Sequence, residues 1–581
     1  MGLPLAAPAQ HLQGHRRGKH LMAIVGIDVG GTHTDGVLLV GRTLKAWTKL
    51  PTREDLGAVL TEVWHRLLEE GGVKPEEVSR ITFSTTLITN LVAKKELPPV
   101  GLVLIPGGGV DPSLFYYGAA STLEIRGMVD FRGRELVPVD EKEVEEAARL
   151  LCRQGLKRVA VVGKFSSRYP AQEERVAEWL RRIAPELEIT LGSKVAGGLG
   201  FPRRAATAVL TAAIKERFEA FYRELQEGIG RAGCPASLFL LRADGGTMPL
   251  AYALQRPVET AFSGPAASAM GALALSQPDL SAAVMDVGGT TTDIALLLEG
   301  RPLTYSRGAV LEGRLLQLAS LAVHSVPLGG DSWVRVEGGE LRVGPERKGV
   351  PYACGGPVPT LTDALRVLNL SSFGDERRAW EAMRQVGEGL GEKDPQATAR
   401  AVLGQAVRKL AEAVKVAFER WAQEPAYRLW QVKYQLPRPQ KLVGVGAAAW
   451  GLVPEVARRL GLKPLVPHLA PVANALGAAL ARVTLSRTYV LDTQQGRISV
   501  LETGKQERLN QGGDLLPPEA EELALELFRR EARASGIDPE GARITSSEVF
   551  NVVRHWRRVG RIYEIEVRLP AGVLFFLEEH S

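Results

Sequence analysis

An eight-residue segment occurs twice in this chain. Residues 28–35 read D-V-G-G-T-H-T-D and residues 286–293 read D-V-G-G-T-T-T-D, so seven of eight positions agree across a separation of 258 residues. A repeat of this kind constrains the fold strongly, because it implies two similar structural units in one chain. Each copy follows an apolar run (Ala23 to Ile27; Ala282 to Met285) and precedes another (Gly36 to Val40; Ile294 to Leu298). Strand, glycine-rich turn, strand is the natural reading, a hairpin that opens each of two lobes. Beyond each hairpin, apolar runs alternate with amphipathic helical patterns, which predicts an α/β fold.

The pattern divides the chain into a disordered leader (1–22), a first lobe (23–203), a second lobe (204–483) and a small α+β appendix (484–581). A long helix from Ala205 to Ala232 is expected to cross between the lobes, with the strand Leu238 to Arg242 placed in the second. Two helices of small residues, Ser263 to Ala274 and Pro471 to Arg482, sit at matching places. They are expected to cross closely beneath a cleft, as a hinge.

Composition excludes several classes. With 581 residues, 45% hydrophobic and 24% charged, the chain suits full-sized cores and not disorder or a disulfide-stapled scaffold. The net charge of +6 is slight for this length, and no block of basic residues stands out, so no nucleic-acid partner is expected. Three scattered cysteines (Cys152, Cys234, Cys354) argue for a reducing compartment and against a cysteine-built metal site. No apolar stretch is long enough to span a bilayer, and the leader has no apolar core of a signal peptide. A cytoplasmic protein without membrane association is the expectation.

The repeated turn carries the chemistry. Adjacent glycines let several backbone N–H groups surround one concavity, which makes an anion site. Gly30, Gly31, Gly288 and Gly289 would line it, and Thr32, Thr34, Thr290 and Thr292 would add hydroxyl donors to phosphate. Asp28 and Asp286, at the strand ends, are positioned to hold a hydrated Mg²⁺, which takes few carboxylates and keeps its waters. Two such turns across a cleft would grip a polyphosphate from both sides. The run K-L-V-G-V-G at 441–446, with Gly444 and Gly446, suits close approach of a nucleoside or tight helix packing. Asp244, at a predicted strand end, is the candidate general base, with a plain Asp-Gly-Gly turn as the competing role. Asp286 is the other candidate catalytic carboxylate. Asp35 and Asp293 are divided between the site and their own turn backbone. Asp331 and Asp363 are weaker candidates; His33 reads as a solvent-facing turn residue, His324 as a satisfied core histidine and Cys354 as a buried structural thiol.

With these pieces assembled, the sequence resembles the hydantoinase A/oxoprolinase family of the actin-like ATPase superfamily. The resemblance rests on both turns, on Thr85-Thr86 with Asn90, on residues 243–246 (A-D-G-G) followed by 263–266 (S-G-P-A), and on 359–364 (P-T-L-T-D-A) and 475–478 (A-L-G-A). It implies two actin-like (ribonuclease H-like) lobes with a nucleotide cleft between them, plus the appendix. It also implies ATP and Mg²⁺ as cofactors, phosphorylation of the carbonyl oxygen of a cyclic amide such as a hydantoin or 5-oxoproline, and hydrolysis of the activated ring. A hydantoinase B-type subunit and an oligomeric assembly are implied partners. An acetone carboxylase-like activating subunit, a reactivase-type ATPase acting on a partner protein and a small-molecule kinase are the alternatives. The chain departs from the family pattern at Phe83-Ser84-Thr85-Thr86, where members carry His-Gly-Thr-Thr. It departs again at Gly329-Gly330-Asp331-Ser332, where members carry Gly-Gly-Gly-Ser, and at 444–447 (G-V-G-A), where they carry G-G-A-G. The appendix is expected to be short for the family.

Overall fold

The computed structural model describes residues 23–109, 111–231, 233–305, 308–422, 439–509 and 515–577. The leader 1–22 lies outside the described residues.

The two repeated segments open two sheets of the same design. In the first, Ala23–Val29 forms an antiparallel hairpin with His33–Val40 and pairs in parallel with Val78–Thr85 on its other side. Thr43–Pro51 extends one edge, and Ser237–Leu241 with Thr247–Pro249 the other. In the second, Ala282–Val287 forms a hairpin with Thr292–Leu298 and pairs in parallel with Lys441–Val445. Arg301–Pro302 and Val323–Val326 both pair with Thr292–Leu298, and Lys463–Leu465 pairs with Lys441–Val445. The first strands are almost wholly buried, which is why they read as continuous apolar runs and not as alternating patterns.

The small-residue helices Ser263–Ala274 and Ala473–Leu480 cross with their backbones in contact. A Cβ on Gly271 would fall on the Ala473 carbonyl oxygen, and one on Gly477 on that of Ala267. Gly26 of the first strand meets the Ala475 carbonyl in the same way. Only glycine permits this approach, so the crossing lies directly against the first strand.

The helix and the strand that follow residue 203 pack on the first sheet. The long helix Phe201–Arg231 packs Phe218, Leu225 and Ile229 into the first-lobe core with Leu60 and Trp64. Its N-terminal half covers Leu102 and Leu104 of a separate four-stranded parallel sheet, ordered Glu188–Leu191, Arg158–Gly163, Gly101–Ile105, Ser121–Glu124. The strand Ser237–Leu241 then joins the first sheet, not the second. The helix is thus the spine of the first lobe, and the second lobe's own sheet begins at Ala282.

The appendix is a five-stranded antiparallel sheet, ordered Lys505–Arg508, Arg497–Val500, Leu485–Asp492, Arg557–Leu569, Arg543–Arg554, covered by the helix Pro517–Ala534. A buried ion pair ties it to the first lobe, with Arg132 bonding both Asp492 oxygens at 2.6–3.0 Å. Removing one member of such a pair strands the other charge in a dry interface. Arg132→Met is therefore expected to lower stability by about 3–5 kcal/mol in urea titrations.

Candidate functional site

The turns close alike. Gly30 donates to the His33 carbonyl and Gly288 to the Thr291 carbonyl, each at 3.0 Å. The inner threonines then serve the fold: Thr34 is buried with its hydroxyl on that of Thr52 at 3.0 Å, and Thr292 donates to the Leu328 carbonyl at 2.6 Å. Gly31, Thr32, Gly289 and Thr290 are exposed, and among the described residues none of their N–H groups meets a protein acceptor. The threonines expected at phosphate therefore divide into an outer pair open to a ligand and an inner pair that locks the turn.

Asp28 lies buried at the end of its strand, accepting from the Ser84 hydroxyl at 2.5 Å. Asp286 accepts from the hydroxyl of Ser268, and the side-chain oxygen of Asn474 lies 3.0 Å from that hydroxyl. The Asn474 amide reaches both carboxylates, Asp28 Oδ2 and Asp286 Oδ2, each at 3.4 Å. One side chain, on the helix that crosses beneath, thus spans the two strand ends. Neither Asn474 nor Ser268 was among the candidates from sequence. Asn474 is the single polar residue in an otherwise apolar helix, and that was the available signal.

Burial and mutual repulsion raise these carboxyl groups. Burial, then the Asp35 charge, pushes Asp28 up to about 6, with Asp286 adding to the rise. Burial pushes Asp293 up to about 6 despite a hydrogen bond from Ser325, and raises Asp286 despite bonds from Ser268 and Asn474. The cross-strand partners differ. Asp35 faces Lys49, whose Nζ bonds its Oδ2 at 2.6 Å, whereas Asp293 faces Ser325 in the same relative place. Burial also raises Asp35, and its Oδ1 has no hydrogen-bond partner among the described residues.

The strand end Lys441–Val445 completes this floor. Gly446 is held at φ +88° beside Asp286, where a Cβ would come within 2.6 Å of Oδ1. Gly444 instead makes room for Val453 and Ala449 of the following helix, the packing role left open by the sequence.

Asp244 is occupied elsewhere. Its carboxylate accepts from Gly246 N at 2.9 Å and from the Thr484 hydroxyl at 3.2 and 3.3 Å, and Arg242 approaches at 3.7 Å. These bonds fix the Asp-Gly-Gly turn against the chain entering the appendix, and they give the general-base assignment no support. Asp363 is likewise structural, capping its own helix by accepting from Thr360 and from Ala353 N. His33 is exposed in the first turn, as expected. His324 is half-buried, with Nδ1 3.1 Å from Arg420. Cys354 is exposed in a short turn, Tyr352–Cys354, and not buried as expected.

Two neighbouring carboxylates, both raised chiefly by burial, suit a cation. Among the described residues no group of three or more His, Cys, Asp or Glu gathers that could cage a metal unaided. The donor set fits Mg²⁺, which takes one or two carboxylates, keeps several waters and completes its shell with phosphate oxygens. Asn474→Ala removes the amide that aligns both carboxylates. It is expected to weaken Mg²⁺-nucleotide binding about tenfold by calorimetry, the usual cost of losing an outer-shell partner.

Residues 24–184 match the family model described as hydantoinase/oxoprolinase N-terminal region, and residues 204–487 match that described as hydantoinase/oxoprolinase. The acetophenone carboxylase gamma subunit of Aromatoleum aromaticum is 28% identical over 392 residues, 59% of this chain and 53% of that one. The caprolactamase subunit alpha of Pseudomonas jessenii is 26% identical over 518 residues, 80% and 71% of the two chains. The chain spans about half the length of the former. Nucleotide-free acetone carboxylase superposes with a TM-score of 0.71 at 16% identity, covering 96% of this chain and 89% of that one, a likeness of fold. No helix among the described residues is long and apolar enough to cross a membrane.

Proposed function

From the premise that the chain belongs to the hydantoinase/oxoprolinase family, we propose that it is an ATP- and Mg²⁺-dependent enzyme that opens a cyclic amide by phosphoryl activation of its carbonyl. The observation that supports this reading best is the joining of Asp28 and Asp286, one from each repeated turn, through the single side chain of Asn474. A ring amide is a poor electrophile; ATP would transfer its terminal phosphoryl group to the amide oxygen and leave as ADP, after which water adds to the carbon, phosphate departs and the ring C–N bond breaks. The protein's part is positioning and charge. Asp28 and Asp286 would hold the hydrated ion, and the free N–H groups of Gly31, Thr32, Gly289 and Thr290 would grip phosphate oxygens from opposite sides. Gly446 keeps the floor beside Asp286 open for the ion's water shell. Lys49 offsets part of the negative charge gathered there.

Two relatives are named as subunits, of a caprolactamase and of an acetophenone carboxylase, and this favours action together with a second chain. The likeness of fold to acetone carboxylase supports a second reading, in which the activated group is a ketone's enolate oxygen and the product a carboxylate.

Phosphate release measured with caprolactam, hydantoin or 5-oxoproline separates these readings. Stimulation accompanied by a ring-opened amino acid is the expected result. Stimulation only by a ketone with bicarbonate would transfer the assignment to the carboxylase branch. No response to any cyclic amide, with or without a companion subunit, would sink the hydrolase reading.

A further inference from the structure

The second turn is not simply open. The segment Gly329–Ser332 runs along it, with Gly330 N donating to the Gly288 carbonyl at 2.9 Å and Asp331 N to the Gly289 carbonyl at 2.7 Å. This contact needs glycine, since a Cβ on Gly329 would strike the Gly288 and Gly289 backbone. The next residue breaks the run of small side chains. Asp331 lays its carboxylate over Gly289, so that a Cβ there would lie 2.7 Å from Oδ2. The carboxylate is held by Arg347, whose Nε and terminal nitrogen reach Oδ2 at 3.1 and 2.9 Å. Arg347 is itself set by strand pairing, directly across from Ser332. Asp331 is also near enough to His33, in the first turn, for their charges to act on each other. An anion anchored by an arginine therefore rests on the second glycine turn and faces the first.

We propose that Asp331 occupies the seat of a nucleotide phosphate on the second turn, and that Arg347 becomes the counter-ion of that phosphate once Asp331 is displaced. The inference rests on the phosphate-site reading above and adds to it two residues that decide what the turn accepts. The Asp331 carboxylate takes the guanidinium and the space over Gly289, beside N–H groups at Gly289 and Thr290 that it does not bond, and a phosphate oxygen would need that same space and guanidinium. Both cannot sit there, because two like charges in contact repel. A ligand phosphate must bring enough charge, or its own cation, to move Asp331 aside. A terminal phosphate chelated to Mg²⁺ meets that condition better than a small anion such as inorganic phosphate. Arg347 is partly exposed and lies at a strand end, so it can follow a phosphate without dragging core residues with it.

Calorimetric titration of the full chain with ATP, ADP and inorganic phosphate, each with Mg²⁺, tests the assignment. Asp331→Gly and the near-isosteric Asp331→Asn are both expected to tighten ATP binding about tenfold and to admit inorganic phosphate to the turn. Arg347→Met is expected to weaken ATP binding about tenfold, in the wild-type background and in Asp331→Asn alike. Unchanged or weaker ATP binding in both Asp331 variants would overturn the proposal, weaker binding marking Asp331 as a ligand of the cation instead. Failure of the wild type to bind ATP while Asp331→Asn binds it would support the proposal. Failure of all forms to bind would remove the phosphate site itself, and the proposal with it. Thermal melts of the ligand-free variants give a second readout. Because Asp331 and Arg347 meet at a partly exposed edge, all are expected to melt within a few degrees of wild type, so altered binding reports on the seat and not on unfolding.

Discussion

Asp28→Asn is expected to stabilise the ligand-free protein at pH 7.5 while reducing nucleotide-dependent turnover about 10³-fold, the scale of losing a positioned electrostatic group in phosphoryl transfer. The stability half follows from the raised carboxyl. Burial and the Asp35 charge hold Asp28 at about 6 in the folded protein, against 3.8 ordinarily. The folded state therefore keeps this proton longer than the unfolded chain does. As pH rises from about 4 through 6, stability falls, by up to about 3 kcal/mol from this group. Asparagine carries no such cost and still accepts from Ser84. The gain should thus be present at pH 7.5 and absent near pH 4, as read by chemical denaturation at both values. Mg²⁺ should reverse the order, stabilising the wild type and leaving the variant unmoved. A gain independent of pH would mean that shape and not charge governs the site. Retained turnover would remove Asp28 from it.

The repeat alone makes much of this candidate site legible. Asp28 and Asp286 were marked by their place at the ends of two matching hairpins, and the register pairs Asp28 with Asp35 and Asp286 with Asp293 follow from those hairpins alone. The outer glycines and threonines were marked with them. Sequence could not separate Thr32 from Thr34, because the difference lies in which hydroxyl finds an acceptor from another part of the chain, Thr52 for one turn and Leu328 for the other. Asn474 and Lys49 were missed because long-range register, not local pattern, delivers them: Lys49 by the third strand, Asn474 by the crossing helix. For Asp244 the sequence leaves a general base and a plain Asp-Gly-Gly turn side by side. A strand-end Asp before two glycines looks free for chemistry, yet the turn itself and Thr484, 240 positions away, take up both of its oxygens. The strand Ser237–Leu241, expected in the second lobe, pairs with the first sheet for a related reason, since it returns to a sheet begun some two hundred residues earlier.

That dependence of the site on a crossing far along the chain carries its own expected result. Gly477→Ala should destabilise the protein by about 3 kcal/mol or more, although alanine is the better helix former by about 1 kcal/mol. The added methyl has nowhere to go: it would fall on the Ala267 carbonyl oxygen and within 2.6 Å of Gly271 N, both backbone atoms of the facing helix. Gly404→Ala, in the helix Pro395–Ala422, is the control, because a Cβ there meets nothing within 4 Å among the described residues. That change should instead stabilise by up to about 1 kcal/mol. The two variants make the same chemical change in helices, so opposite signs in urea titrations isolate the crossing as the cause. Asn474 sits one turn before Gly477 on the same helix, and the helices can relieve the overlap only by moving apart. The separation draws its amide away from carboxylates it already reaches at 3.4 Å. The folded fraction of Gly477→Ala should therefore bind Mg²⁺-ATP about as weakly as Asn474→Ala, with little further loss when the two are combined. Wild-type affinity in folded Gly477→Ala would show that the two lobes hold their strand ends in register without the crossing.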